Sequence, residues 1–341
     1  MQLRAFTQKS ALAAIMLLVV ILIATAIRSQ VNPFGLELAN SIYSERTISI
    51  VVATILLFFV GIIAGKIFPR SGLNKGYSTL PIPIFGILAS GIFVAPHALS
   101  TAVVSLCFAL AIYLLLRSLH SAGEKDSLFF AALLFGFMVL LYPPCIVFVG
   151  ILIPAIFLLA LSPRQIVVIA VGYLLPLFCA SYYMWYIGDD FWSMSRNIAD
   201  ALLTSRMGAV EHFPYAGVVM ICAVAALLIG GLVFSVIRPD KMFMLARVRR
   251  ALSLFVWIML VTLTILAFPA CDLTLVALLA VPVSILLSFV LGILPTTQST
   301  IAYWVLLLIF VVHLFVEQRC PSTRKPFSIC QPRHYLWCGW L

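Results

Sequence analysis

Apolar residues in this chain come in eleven long runs: 11–27, 48–65, 80–95, 100–116, 128–141, 146–161, 166–186, 214–235, 252–268, 273–295 and 301–316. Every charged side chain falls between these runs or at their ends. A stretch of roughly 17–25 apolar residues is what crosses the hydrocarbon core of a bilayer. The pattern predicts an all-α fold, a polytopic transmembrane bundle of ten or eleven helices. It forms one domain over residues 1–316, followed by a short hydrophilic and aromatic tail at 317–341. Proline cannot continue a helix, so Pro96-His97 and Tyr142-Pro143-Pro144-Cys145 are expected to turn the chain in tight helical hairpins.

Composition narrows the class. Sixty-four per cent of the 341 residues are hydrophobic and 9% are charged, far from the soluble range. Short hydrophilic connections leave no room for a soluble catalytic domain. The net charge of +10 is scattered through the connections, which points to basic loops held on the cytoplasmic side rather than to nucleic acid. Of the 21 Lys and Arg, thirteen share the side of the N-terminus, four lie opposite and four are in the tail. That asymmetry predicts a bacterial cytoplasmic (inner) membrane protein with its N-terminus in the cytoplasm. Arg4 and Lys9 ahead of the run 11–27 also resemble a signal peptide, and an uncleaved signal anchor is the expectation because so many spans follow.

Two connections are long, Arg28 to Thr47 and Ile187 to Phe213, and both are expected on the outer side. Long connections are where function tends to sit. In the second, Phe191, Met194, Ile198 and Leu202 share one helical face, with Arg196 and Asp200 at i,i+4 on the other. This predicts a short helix in the membrane interface, with Trp192 at headgroup depth.

The candidate chemistry belongs to the same face. Glu37, Glu45, Asp189 and Asp190 are the candidate catalytic acids, since a carboxylate at a membrane face can act as general base on an acceptor hydroxyl; each can equally be a solvated loop or helix-end charge. Arg28 and Arg46 could hold a lipid phosphate bidentately or serve as snorkelling anchors. His97 and His212 complete the candidate substrate-binding set. The tail's Cys320, Cys330, His334 and Cys338 match no compact zinc module, so neither a metal nor a cofactor is expected. Cys107, Cys145, Cys179, Cys222 and Cys271 lie in or beside apolar runs, as small hydrophobes do.

The run from Phe129 to Tyr186 (FFAALLFGFMVLLYPPCIVFVGILIPAIFLLALSPRQIVVIAVGYLLPLFCASYYMWY) resembles the middle of C-type membrane glycosyltransferases. The resemblance implies a polyprenyl-phosphate-linked sugar as donor at the outer face and an acidic residue in the first outer loop, where Glu37 and Glu45 stand. The usual acidic pair of that family is missing here. A broader likeness covers roughly residues 45–316. ALAIYLLLRSL, RRALSLFVWIMLVTLTILAF and VPVSILLSFVLG are similar to an uncharacterised family of bacterial multi-pass membrane proteins.

Three functional classes follow. A glycosyltransferase of this type, active or degenerate, predicts Glu37 and Glu45 lining an outer cavity open to lipid, with Arg28 or Arg46 on the donor phosphate. A non-catalytic scaffold or envelope-assembly partner predicts acids facing bulk water. A transporter or flippase predicts a polar path through the midplane, whereas all eleven carboxylates lie in loops or at segment ends.

Overall fold

The computed structural model describes residues 11–31, 42–71, 79–89, 98–120, 125–158, 161–203, 224–226, 228–230, 246–266, 276–294 and 296–319. All regular structure among them is helical. The helices are α1 (Ala11–Val31), α2 (Ile42–Arg70), α3 (Pro81–Ala89), α4 (Ala98–His120), α5 (Lys125–Leu141), α6 (Val149–Leu158), α7 (Pro163–Ile187), α8 (Ser193–Leu203), α9 (Ala246–Leu266), α10 (Val276–Ile293) and α11 (Thr296–Arg319). Ten of the eleven apolar runs carry one of these helices. The run 214–235 is described only at 224–226 and 228–230. By length and apolar composition, Ile48–Pro69, Leu99–Ser118 and Pro163–Ile187 can each cross a bilayer.

Two ends differ from expectation. α2 begins at Ile42, so Glu45 and Arg46 belong to its first turns rather than to a loop, and α1 runs through Arg28. No intervening residue resists a helix there, and charged residues pass easily into a helix end. The double proline also does more than turn the chain. α5 closes with the Tyr142 N–H donating to the Met138 carbonyl at 2.8 Å. Pro143 and Pro144 then open a 3₁₀ helix, Pro143–Phe148, that leads straight into α6. Prolines suit a helix start because their missing N–H groups would be unused there. The outcome is not a tight α5–α6 hairpin: α6 packs mainly on α9, and α5 packs between α4 and α7.

Phe108, Phe135 and Phe148 lock α4, α5 and the 3₁₀ helix together, with the Phe108 and Phe148 rings stacked at 4.8 Å. α10 is the central helix. It touches α2, α3, α4, α9 and α11, and almost every residue from Leu278 to Leu291 is buried. Its two buried serines return their hydroxyls to the helix, Ser284 to the Val281 carbonyl and Ser288 to the Ser284 carbonyl, so neither of these two hydroxyls is left unpartnered in the apolar interior.

α5 and α7 approach each other closely where they pack. A Cβ on Gly136 would collide with the Tyr173 carbonyl oxygen, and one on Gly172 would stand 2.7 Å from that of Phe129. Only glycine lets two backbones meet so closely. Position 129 faces 172 and position 136 faces 173 and 176, so the two helices run parallel.

A second contact repairs a proline. Pro154 has no N–H for the Gly150 carbonyl one turn earlier. The Trp257 indole on α9 donates to that carbonyl instead, at 2.8 Å. At the start of α11 the Ser299 hydroxyl likewise donates to the Leu291 carbonyl at 2.5 Å, whose usual partner four residues on would be Pro295.

Candidate functional site

α7 brings the one described part of the expected site into position. Ser162 and Gln165 start the helix with a capping box around Pro163, the Ser162 N–H donating to Gln165 Oε1 at 2.8 Å. The far end stops at Gly188, whose φ of +106° only glycine adopts without strain. The Gly188 and Asp189 N–H groups donate back to the Trp185 and Met184 carbonyls at 3.1 Å each, a Schellman stop. The chain is helical again from Ser193, five residues after Gly188: the Ser193 N–H donates to the Asp190 carbonyl at 2.9 Å, and α8 begins.

α8 lies as its sequence pattern requires. Met194 is buried, and Ile198 packs against the core. α8 rests on α7 and on the 3₁₀ helix after α5. Phe191 sets its ring edge-on to Phe178 of α7 at 6.0 Å and to Trp192 at 5.6 Å. Trp192 stays 61% exposed. With Tyr182, Tyr183, Trp185 and Tyr186, all exposed at the end of α7, it forms an aromatic collar around the elbow. Aromatic rings with one polar end collect at membrane–water interfaces for this reason.

The acidic doublet sits in that elbow, and its two members differ. Asp190 Oδ2 accepts from Arg196 Nη2 at 3.0 Å, with the two side chains half exposed or more. Arg196 therefore meets Asp190 at the helix entrance, six residues back, as well as standing one turn from Asp200. Asp189 is exposed. In water-facing surroundings the Asp190–Arg196 pair contributes only about 0–1 kcal/mol. The sequence pattern marked the doublet and the helix face but not the Asp190–Arg196 pair, which depends on the turn at Gly188.

The other expected residues are not gathered around this elbow by anything described. Glu37, His97 and His212 lie outside the described residues, as do the side chains of Arg28, Glu45 and Arg46. A shallow apolar groove of about 400 Å³ runs along α11 past Thr297, Thr300, Ile301, Trp304, Val305 and Leu308, and none of the expected site residues is among those lining it. Among the described residues, no three of His, Cys, Asp and Glu come together as a metal site would need.

Residues 4–321 match a family described as a family of unknown function, DUF6427. The chain belongs to it. No curated protein and no solved structure matches the chain. This DUF6427 member thus has its elbow and collar as the features from which a role can be argued.

Proposed function

We propose that this DUF6427 protein is a polytopic inner-membrane protein of ten or eleven spans. In this reading its N-terminus is cytoplasmic, and it serves as a non-catalytic scaffold or assembly partner in the cell envelope. The observation that carries the membrane part is the outer surface of the helices. Leu12, Met16, Val20 and Ile23 on α1 are exposed, as are Ile48, Val52, Ile55 and Phe59 on α2. So are Val167, Val171, Leu174 and Phe178 on α7, and Ile301, Val305, Leu308 and Val312 on α11. These are stripes at i, i+3, i+4 spacing that water would not tolerate and lipid favours.

The scaffold part rests on the elbow. A general base has to reach an acceptor proton at a site whose surroundings tune its basicity. Asp190 is instead engaged with Arg196, and Asp189 faces outward. The arrangement suits a fixed interfacial platform, α8 plus its aromatic collar, against which a partner domain can rest.

The test uses the purified full-length protein, a polyprenyl-phosphate-linked sugar and an acceptor, with E37Q, E45Q and D189N/D190N variants. The scaffold reading expects no sugar transfer above background, with the variants unchanged. Transfer that falls at least tenfold in any of these variants overturns it and establishes the glycosyltransferase reading.

A further inference from the structure

The Trp192 indole stands exposed at the head of a helix whose outer face is hydrophilic. α8 spends its apolar side chains on the protein, with Met194 buried and Ile198 packed against the core. Ser195, Arg196, Asn197, Ala199 and Asp200 all face outward. The Arg196 N–H donates to the Trp192 carbonyl at 3.0 Å, so the indole stands one turn before that outer face and in line with it. The ring is also braced. Phe178 of α7 meets Phe191 edge-on at 6.0 Å, and Phe191 meets Trp192 at 5.6 Å with the rings at 89°. Phe191 already makes the contact with α7, so packing does not account for a second ring held outside it.

We infer that Trp192 and Asp189 anchor a basic segment of a partner protein, with arginine or lysine side chains set over the indole face and against the carboxylate. The inference rests on the scaffold reading above and names the chemistry of its partner. Tryptophan is among the residues that carry most of the energy of protein interfaces, and a ring already fixed in place loses little freedom on binding. Indole is also the best aromatic face for a cation. The charge agrees. Asp189 is exposed, and Asp190 keeps about half of its side chain open. With Asp200 these acids outnumber Arg196 over residues 188–203, in a chain of net charge +10. The elbow already holds one guanidinium, that of Arg196 on Asp190 at 3.0 Å. Lipid fits less well: acyl chains need an apolar face that α8 has already buried, and anionic headgroups are repelled by the carboxylates.

The experiment titrates full-length protein in a maltoside detergent with a short fluorescent peptide alternating arginine and glycine, and with its glutamine counterpart, following anisotropy. The arginine peptide should bind and the glutamine peptide should not. W192L should weaken binding about two- to fivefold, and W192F should retain most of it. D189N should weaken it independently and flatten its salt dependence, so a folding defect in one variant does not decide the matter. R196Q frees Asp190 and removes a like charge, so it should tighten binding by about twofold; a purely structural role for the elbow predicts a loss. Equal binding of the two peptides, or unchanged binding in both W192L and D189N, overturns the inference. So does displacement of the peptide by equimolar phosphatidylethanolamine, which assigns the surface to lipid. A wild-type dimer that W192L dissolves assigns it to a second copy and overturns it as well. The sugar-transfer assay keeps the two readings apart. Neither transfer nor peptide binding sinks this inference alone, whereas transfer that falls in D189N/D190N sinks the scaffold reading and this one with it.

Discussion

A proline within a helix strips one carbonyl of its partner, and at residue 150 an indole from another helix makes good the loss. The Trp257–Gly150 bond at 2.8 Å is where this can be measured. W257F should destabilise the protein by about 1 kcal/mol, the scale of a single hydrogen bond. In a P154A background, residue 154 regains an N–H for the same carbonyl, and W257F should then cost clearly less. A double-mutant cycle on thermal unfolding in detergent reads the coupling, and equal costs in both backgrounds would mean that the bond carries no weight. The glycines make the opposite point, that a missing side chain can be essential. G136V or G172V should push α5 and α7 apart and cost several kcal/mol, more than the same change at Gly292, where nothing stands within 4 Å. Comparing the three unfolding midpoints settles it. Pro154 and the glycines are visible in the sequence, but the indole and the facing carbonyls that give them meaning come from helices far along the chain.

At the scale of elements, α8 is the helix whose two faces differ most. Burying Met194 and Ile198 while leaving Trp192 exposed ties it to α7 and the 3₁₀ helix. M194E should free it, raising protease sensitivity at the elbow, because an unpaired charge cannot replace a buried thioether. R196A should change stability by less than about 1 kcal/mol, as exposed pairs do. Limited proteolysis of both variants beside the wild-type protein checks the contrast, and equal sensitivity of M194E and wild type would count against the buried seat. The helical face of α8 was legible because its residues repeat every three to four positions. The run of helices was legible for a simpler reason: the charges bracket them. The 3₁₀ entry at Pro143 and the extension of α2 back to Ile42 were not. Double prolines fit a turn as well as a helix start, and the residues before Thr47 carry no stop signal. The Asp190–Arg196 pair was equally hidden, since its geometry is created by the left-handed Gly188.

For the whole molecule, apolar surface does two jobs. One set of side chains fills a core centred on α10. Another points outward in stripes on α1, α2, α7 and α11, and the proposed lipid surround would stabilise that outer set. The protein should accordingly stay in the membrane pellet after alkaline carbonate, and charged substitutions at Val171 or Leu308 should reduce its insertion while D189N should not. The most direct test of the account is which side of the membrane each end of the bundle occupies. In a cysteine-free background, D189C and R249C would be challenged in intact spheroplasts with a membrane-impermeant thiol reagent. The account predicts that D189C is labelled at once and R249C only after the membrane is opened. Labelling of both from the same side, or of R249C first, would contradict it.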